Sequence, residues 1–134
     1  MMYDAEYLLR DMFAREAPVF IAGSTITLPT ERKFADIPSI QRYVSRVLSV
    51  RTPTVRARRG TAKAHYWGMR NEIAIPEHGT RWAMREIVIL HECAHALAPA
   101  GAKHGPAFQN VYTDLLTEHI GPEAGWLYRV LRTQ

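Results

Sequence analysis

The hydrophobic pattern predicts an α+β domain, a small antiparallel sheet of three to four strands packed against helices. Three observations lead there. Apolar residues recur at helical spacing near both ends of the chain. Short alternating segments bounded by Gly and Pro fill residues 53 to 76. A long apolar run with helical character follows, around residues 82 to 98.

The first helix is expected over about residues 3 to 17, with Tyr3, Tyr7, Leu8 and Phe13 facing the core. Asp4, Glu6, Arg10, Asp11 and Arg15 fill its polar side. Pro18 lies near its end, and Val19 to Gly23 reads as a short strand closed by Gly23. Residues 24 to 36 read as a loop. Asp36 is a fitting N-cap and Pro38 suits a first turn, so a second helix is expected from about Ile37 to Ser49. Its stripe is Ile40, Tyr43, Val44, Val47 and Leu48.

Pro53 breaks the chain. Val55 and Ala57 then alternate with Thr54, Arg56 and Arg58, as in a half-buried strand. Arg59 and Gly60 begin a turn. Lys63 to Gly68 and Asn71 to Pro76 form the next two strands, and the short connections suggest an antiparallel meander. Thr80 is placed to cap a long helix from about Arg81 to Pro99, carrying Trp82, Met84, Ile87, Val88 and Leu90. Gly105 and Pro106 open the next helix, whose buried stripe is Phe108, Val111, Tyr112 and Leu115. A last helix, about Pro122 to Leu131, carries Trp126, Leu127 and Val130.

Length bounds the rest. Residues 1–134 amount to a single domain, long enough to bury a core without staples. Cys93 is the only cysteine, which excludes an internal disulfide and a thiolate zinc ribbon. The N-terminal stretch mixes charges with apolar residues, and no stretch reaches membrane-spanning length. A cytoplasmic protein is expected. The net charge is +4, and Arg51, Arg56, Arg58, Arg59 and Lys63 fall close together. Such a basic segment suits nucleic acid or an acidic partner. The plainer reading is a solvated strand pair.

The chemistry is concentrated in residues 87 to 108. His91 and His95 stand one helical turn apart, so their side chains differ by only about 40° around the axis. Two neutral imidazoles on one helix face suit zinc. Glu92 is offset by about 100° from His91, which is poor for a ligand of the same ion and good for reaching a water on it. A third ligand is needed if one position stays open. His104 is the best candidate, because Pro99 and Gly101 let the chain turn back and Phe108 and Val111 anchor the helix that follows. Water on the ion is then acidified from about 15.7 toward 7. Glu92 serves as general base and later returns the proton to a leaving amine. Without a metal, His91 and His95 become core histidines and Glu92 an unexplained acid on a buried helix.

Other groups are read as structural. Cys93 lies about 200° from His91 and points into the core. His65 and His78 are given surface or structural roles, although either is near enough in sequence to border the cleft. His119 suits a helix C-terminus. Tyr112 fits the apolar stripe rather than an oxyanion-stabilising role.

His91-Glu92-Cys93-Ala94-His95, followed by His104-Gly105-Pro106-Ala107-Phe108, resembles the SprT-like zinc metallopeptidases, a group that includes the Spartan proteases acting on DNA–protein crosslinks. It is also similar to small metallohydrolases of actinobacteria and their phages. The resemblance is specific over about residues 82 to 112 and architectural before that. It implies a zincin-like, SprT-like fold, a zinc cofactor and peptidase activity, with DNA-associated proteins among the substrates. Members often carry a four-cysteine ribbon, which Cys93 alone does not provide. The resemblance therefore implies a peptidase more strongly than DNA repair. The metzincin pattern does not fit, since it needs Gly and His where this chain has Ala98 and Gly101.

A zinc peptidase is accordingly the leading expectation, with protein or peptide as substrate. An extended substrate would add to the sheet edge near Tyr66 or Ile73. Arg56, Arg58, Arg59 and Lys63 are the candidate contacts to nucleic acid. The alternatives are a zinc amidase or deacylase acting on a small molecule, and a non-catalytic zinc-containing regulator that binds DNA or protein. A long groove favours a peptide and a closed pocket a small molecule. The presence of Glu92 argues against the regulator, because metal binding alone does not require it.

Overall fold

A computed structural model describes residues 2–59, 63–76 and 82–133, the side chains of residues 2–4 excepted. Within them the chain is α+β, with five helices and two small sheets of two and three strands. In chain order the elements are α1 (Met2–Arg15), β1 (Val19–Ile21), β2 (Ser24–Ile26), α2 (Ile37–Val47), β3 (Thr54–Arg58), β4 (His65–Trp67), β5 (Glu72–Pro76), α3 (Glu86–Leu97), α4 (Pro106–His119) and α5 (Pro122–Arg132).

Helix α3 is the centre of the molecule. Residues Glu86 to Ala94 are buried without interruption, as expected for a helix surrounded on all sides. Helix α4 packs on one flank, while α2 and β4 lie against other parts of it. Helix α5 bridges α4 and α1. Close approach of α4 and α5 depends on Gly125, where a Cβ would meet Thr117 Oγ1 at 1.9 Å and the Thr113 carbonyl at 3.1 Å.

The larger sheet is not a meander. Its order is β3-β5-β4, with β3 parallel to β5 and β4 antiparallel to it. The chain leaves β3, lays β4 at the far edge and returns through the middle. Parallel pairing requires such a crossover. The central position of β5 fits its near-continuous apolar run, and Ile73 to Pro76 are all buried. Ala57, expected on the buried face of β3, is exposed.

Two further corrections concern the first half. Residues 24 to 26 are a strand rather than loop. Ala22 and Gly23, both at positive φ, form a two-residue turn that pairs Ile21 with Ser24. In α1 the core face is Ala5, Leu9 and Phe13, while Tyr7 and Leu8 are exposed. Glu6 is buried with that face. Asp36 does cap α2, its carboxylate accepting from the Ser39 amide at 2.9 Å. In α5, Trp126 is partly exposed and Tyr128 takes the fully buried place.

Helix α3 starts at Glu86, later than expected; Trp82 and Met84 precede it, and Thr80 and Arg81 lie outside the described residues. Its first turn is held by acids and arginines instead. The Glu31 carboxylate accepts the otherwise unpaired Ile87 N–H at 3.0 Å and Arg85 Nε at 2.9 Å. Glu86 accepts from the Arg32 amide at 2.9 Å and from the Tyr43 hydroxyl. Backbone bonds Phe34 N to Met84 O and Glu86 N to Arg32 O, both 2.9 Å, fasten the same junction.

Glu31 and Arg85 are both largely buried. Replacing Glu31 by Ala strands a guanidinium and a helix N–H, so Glu31→Ala should cost about 3–5 kcal/mol in urea unfolding. Glu31→Gln, which keeps an acceptor, should lose less.

Candidate metal centre

Helical geometry brings His91 and His95 to one side of α3. The chain then reverses. Ala98 ends α3 through a bond to the Ala94 carbonyl at 2.8 Å, and bonds from Ala102 to Pro99 and Gly105 to Ala102, both 3.0 Å, tighten the turn. Gly101 and Lys103 adopt positive φ within it. His104 emerges facing the other two imidazoles. Its own carbonyl accepts from Gln109 Nε2 at 2.9 Å, which fixes it to the start of α4.

The three Nε2 atoms form a small triangle. His91 to His95 is 3.2 Å, His95 to His104 is 3.0 Å and His104 to His91 is 3.2 Å. Tetrahedral ligation at about 2.0–2.1 Å per nitrogen spaces ligands about 3.3–3.4 Å apart. The triangle fits that requirement closely, and these three residues together could hold a metal ion. Phe108 forms its floor, with its ring 5.0, 4.4 and 5.0 Å from the rings of His91, His95 and His104.

Comparison with protein-family models, curated proteins and solved structures gives no match. The site must therefore be read from its own chemistry.

The His95 and His104 imidazoles are tuned toward neutrality. Burial, reinforced by the charges of His91 and His104, lowers His95 to about 3. Burial and His91 also hold His104 below the ordinary value. Neutral rings leave lone pairs for a metal.

Sequence reasoning missed Glu6. Its carboxylate lies 2.7 Å from His91 Nδ1 and pairs on its other oxygen with Arg10. Burial pushes that carboxyl up, but the His91 hydrogen bond and charge, with Arg10, outweigh it and hold Glu6 below its usual value. An ionised Glu6 only accepts, so His91 Nδ1 carries a proton and Nε2 is the nitrogen turned to the other two rings. Such a carboxylate behind a metal-binding histidine fixes ring and tautomer. The available signal was an acid at helical-core spacing with Leu9 and Phe13.

Glu92 is buried and lines the same cleft as the histidines. Burial raises its carboxyl pKa, opposed by His91, Arg10 and a hydrogen bond from the Tyr66 backbone amide. Cys93 is buried in the core as expected, its thiol pushed up to about 12 by burial and then by Glu92. Tyr112 is also in the core, its hydroxyl donating to the Ile87 carbonyl at 2.8 Å.

His65 does border the cleft. His78 lies outside the described residues. His119 sits in the last turn of α4, with its ring 6.3 Å from that of Tyr43. Of the basic segment, Arg56 pairs with Glu72 and Arg58 contacts the Lys63 carbonyl at 3.5 Å, while the Lys63 side chain turns to the cleft. No helix among the described residues is long and apolar enough to cross a membrane.

Glu6→Gln should weaken metal binding about 10- to 100-fold in competition with a chelating dye, with the circular dichroism spectrum unchanged. A pH effect follows from His95. Its folded pKa lies below its unfolded one, so the unfolded chain takes up the proton first as pH falls. Between pH 6.5 and 5, chelator-treated protein should therefore lose stability relative to His95→Asn, measured by thermal melts. Parallel melting curves would contradict the neutral-imidazole assignment.

Proposed function

We propose that this protein is a zinc-dependent hydrolase of the zincin-like, SprT-like type that cleaves peptide bonds. One observation carries the reading. Three imidazole nitrogens converge within 3.2 Å of one another while the acid next to the first of them opens into the same cleft.

An all-nitrogen triad with room for a fourth ligand is a donor set suited to zinc. Zinc held there by His91, His95 and His104 would supply Lewis acidity, lowering the pKa of water and polarising a carbonyl. The chain supplies the remainder. Glu92 takes the proton released by the attacking water and passes it to the leaving amine. Its burial raises its pKa toward working pH, which makes that return transfer easier. Glu6 keeps the His91 ring oriented, and Phe108 prevents the three rings from spreading.

A peptide fits the surroundings better than a small molecule. The cleft, about 960 Å³, is lined by α1, β4, α3 and the α3–α4 turn, with exposed Tyr7, Lys63, His65 and Lys103 on its rim. That lies at the upper end for a small-molecule site. Among the described residues strand β4 is paired only with β5, and its Tyr66 amide is bonded to Glu92. An extended substrate joins that edge by main-chain pairing. Ile73 belongs to the central strand and has no free edge to offer.

Glu92→Gln should keep stoichiometric zinc by elemental analysis while casein cleavage drops at least about 100-fold. Chelation should abolish parent activity and zinc should restore it. Equal turnover by parent and variant would remove Glu92 from the reaction.

A further inference from the structure

We propose that the cleft selects acidic polypeptide, with Lys63 and Lys103 engaging Asp or Glu side chains on the substrate near the bond to be cut. The assignment rests on the peptidase reading above.

It begins with which charges in the cleft are already committed. Of the acids, Glu6 is bound to His91 and Arg10, and Glu92 receives the Tyr66 amide. Of the cations, Arg10 is paired with Glu6 and Arg85 with Glu31. Lys63 and Lys103 line the same cleft, are exposed, and have no ion-pair or hydrogen-bond partner for their ammonium groups among the described residues. His65, also exposed, lines the cleft from β4. Among the described residues that line the cleft, two lysines stand against one acid without a cationic partner, Glu92, so the balance is positive.

The two lysines also come from different elements. Lys63 leads into β4, two residues before His65, while Lys103 belongs to the turn that delivers His104. A substrate lying in this cleft meets two groups of like charge, so acids along it are favoured and bases are repelled.

Backbone strain at Lys103 points the same way. Its φ is +53°, in the left-handed region that residues with a Cβ avoid. Glycine would make this turn at lower cost. The chain here sets a cation beside His104, one of the clustered imidazoles. Strain of this kind concentrates at functional positions.

Acidic polypeptide is favoured over nucleic acid because Lys63 and Lys103 border the cleft that holds the reactive groups. The arginines of β3 lie outside it, and Arg56 is already paired.

The test is binding, with cleavage as a second readout. Zinc-loaded Glu92→Gln is titrated against labelled decapeptides whose flanking residues are all Glu, all Ser or all Lys, followed by fluorescence anisotropy. At about 50 mM salt the Glu peptide should bind about tenfold tighter than the Ser peptide, and the gap should narrow at about 300 mM as exposed charges are screened. Adding Lys63→Ser and Lys103→Gly should abolish the preference, and the glycine suits the local backbone. Arg46→Ser removes a cation outside the cleft and should leave the preference intact. The parent enzyme should cut mixed peptides preferentially beside Asp or Glu. Equal binding of all three peptides, no binding at all, or a preference that survives the double lysine change overturns the proposal. So does a single-stranded oligonucleotide that competes as well as the Glu peptide. Acidic preference in binding with no cleavage by the parent would sink the peptidase reading and leave this charge selection standing.

Discussion

A carboxylate–imidazole hydrogen bond, from His91 Nδ1 to Glu6, joins the first helix to the central one across 85 positions of sequence. Neither partner is easily buried alone. An ionised carboxylate in this environment needs a donor, and a metal-binding imidazole needs its far nitrogen fixed. Each group meets the requirement of the other, and Arg10 balances the remaining charge. The orientation of His91 then sets the point on which His95 and His104 converge. Packing maintains the arrangement, since Phe108 touches all three rings and Tyr112 anchors to the α3 backbone.

Helix α3 carries an unusual burden for a buried element, with polar groups along its length. They are tolerated because each has a stated partner or a solvent-facing side. At the N-terminal end Glu31 accepts from Arg85 and the Ile87 amide, while Glu86 accepts from Arg32 and Tyr43. Midway, His91 is bound to Glu6, and Glu92 receives an amide from β4. The cleft itself uses the remaining lone pairs of the histidines. The same helix thus contributes to the core and lines the cleft.

What the sequence made legible was local. The spacing of His91, Glu92 and His95 fixes their relation through helix geometry alone, and the turn at Pro99–Gly101 announces His104. The bounds of α2, α4 and α5 follow from Asp36, Gly105, Pro106 and Pro122 for similar reasons. Long-range pairing was not legible. Nothing in residues 54 to 58 distinguishes a parallel from an antiparallel neighbour, although the unbroken run Ile73 to Pro76 carried the mark of a central strand. Glu6 escaped because an acid on a helix is ordinarily solvated, and only the docking of α1 shows otherwise. Trp82 and Met84 look helical by hydropathy but precede a helix whose start is set by Glu31, far away in sequence.

The position of α1 has a consequence for synthesis. It is synthesised before α3 and α5, the elements whose surfaces it buries against. At about 5–20 residues per second, its apolar stripe waits several seconds for partners. During that interval Glu6 stays hydrated and its histidine is unrestrained. The histidine cluster is therefore completed only when α1 folds back onto helices made after it.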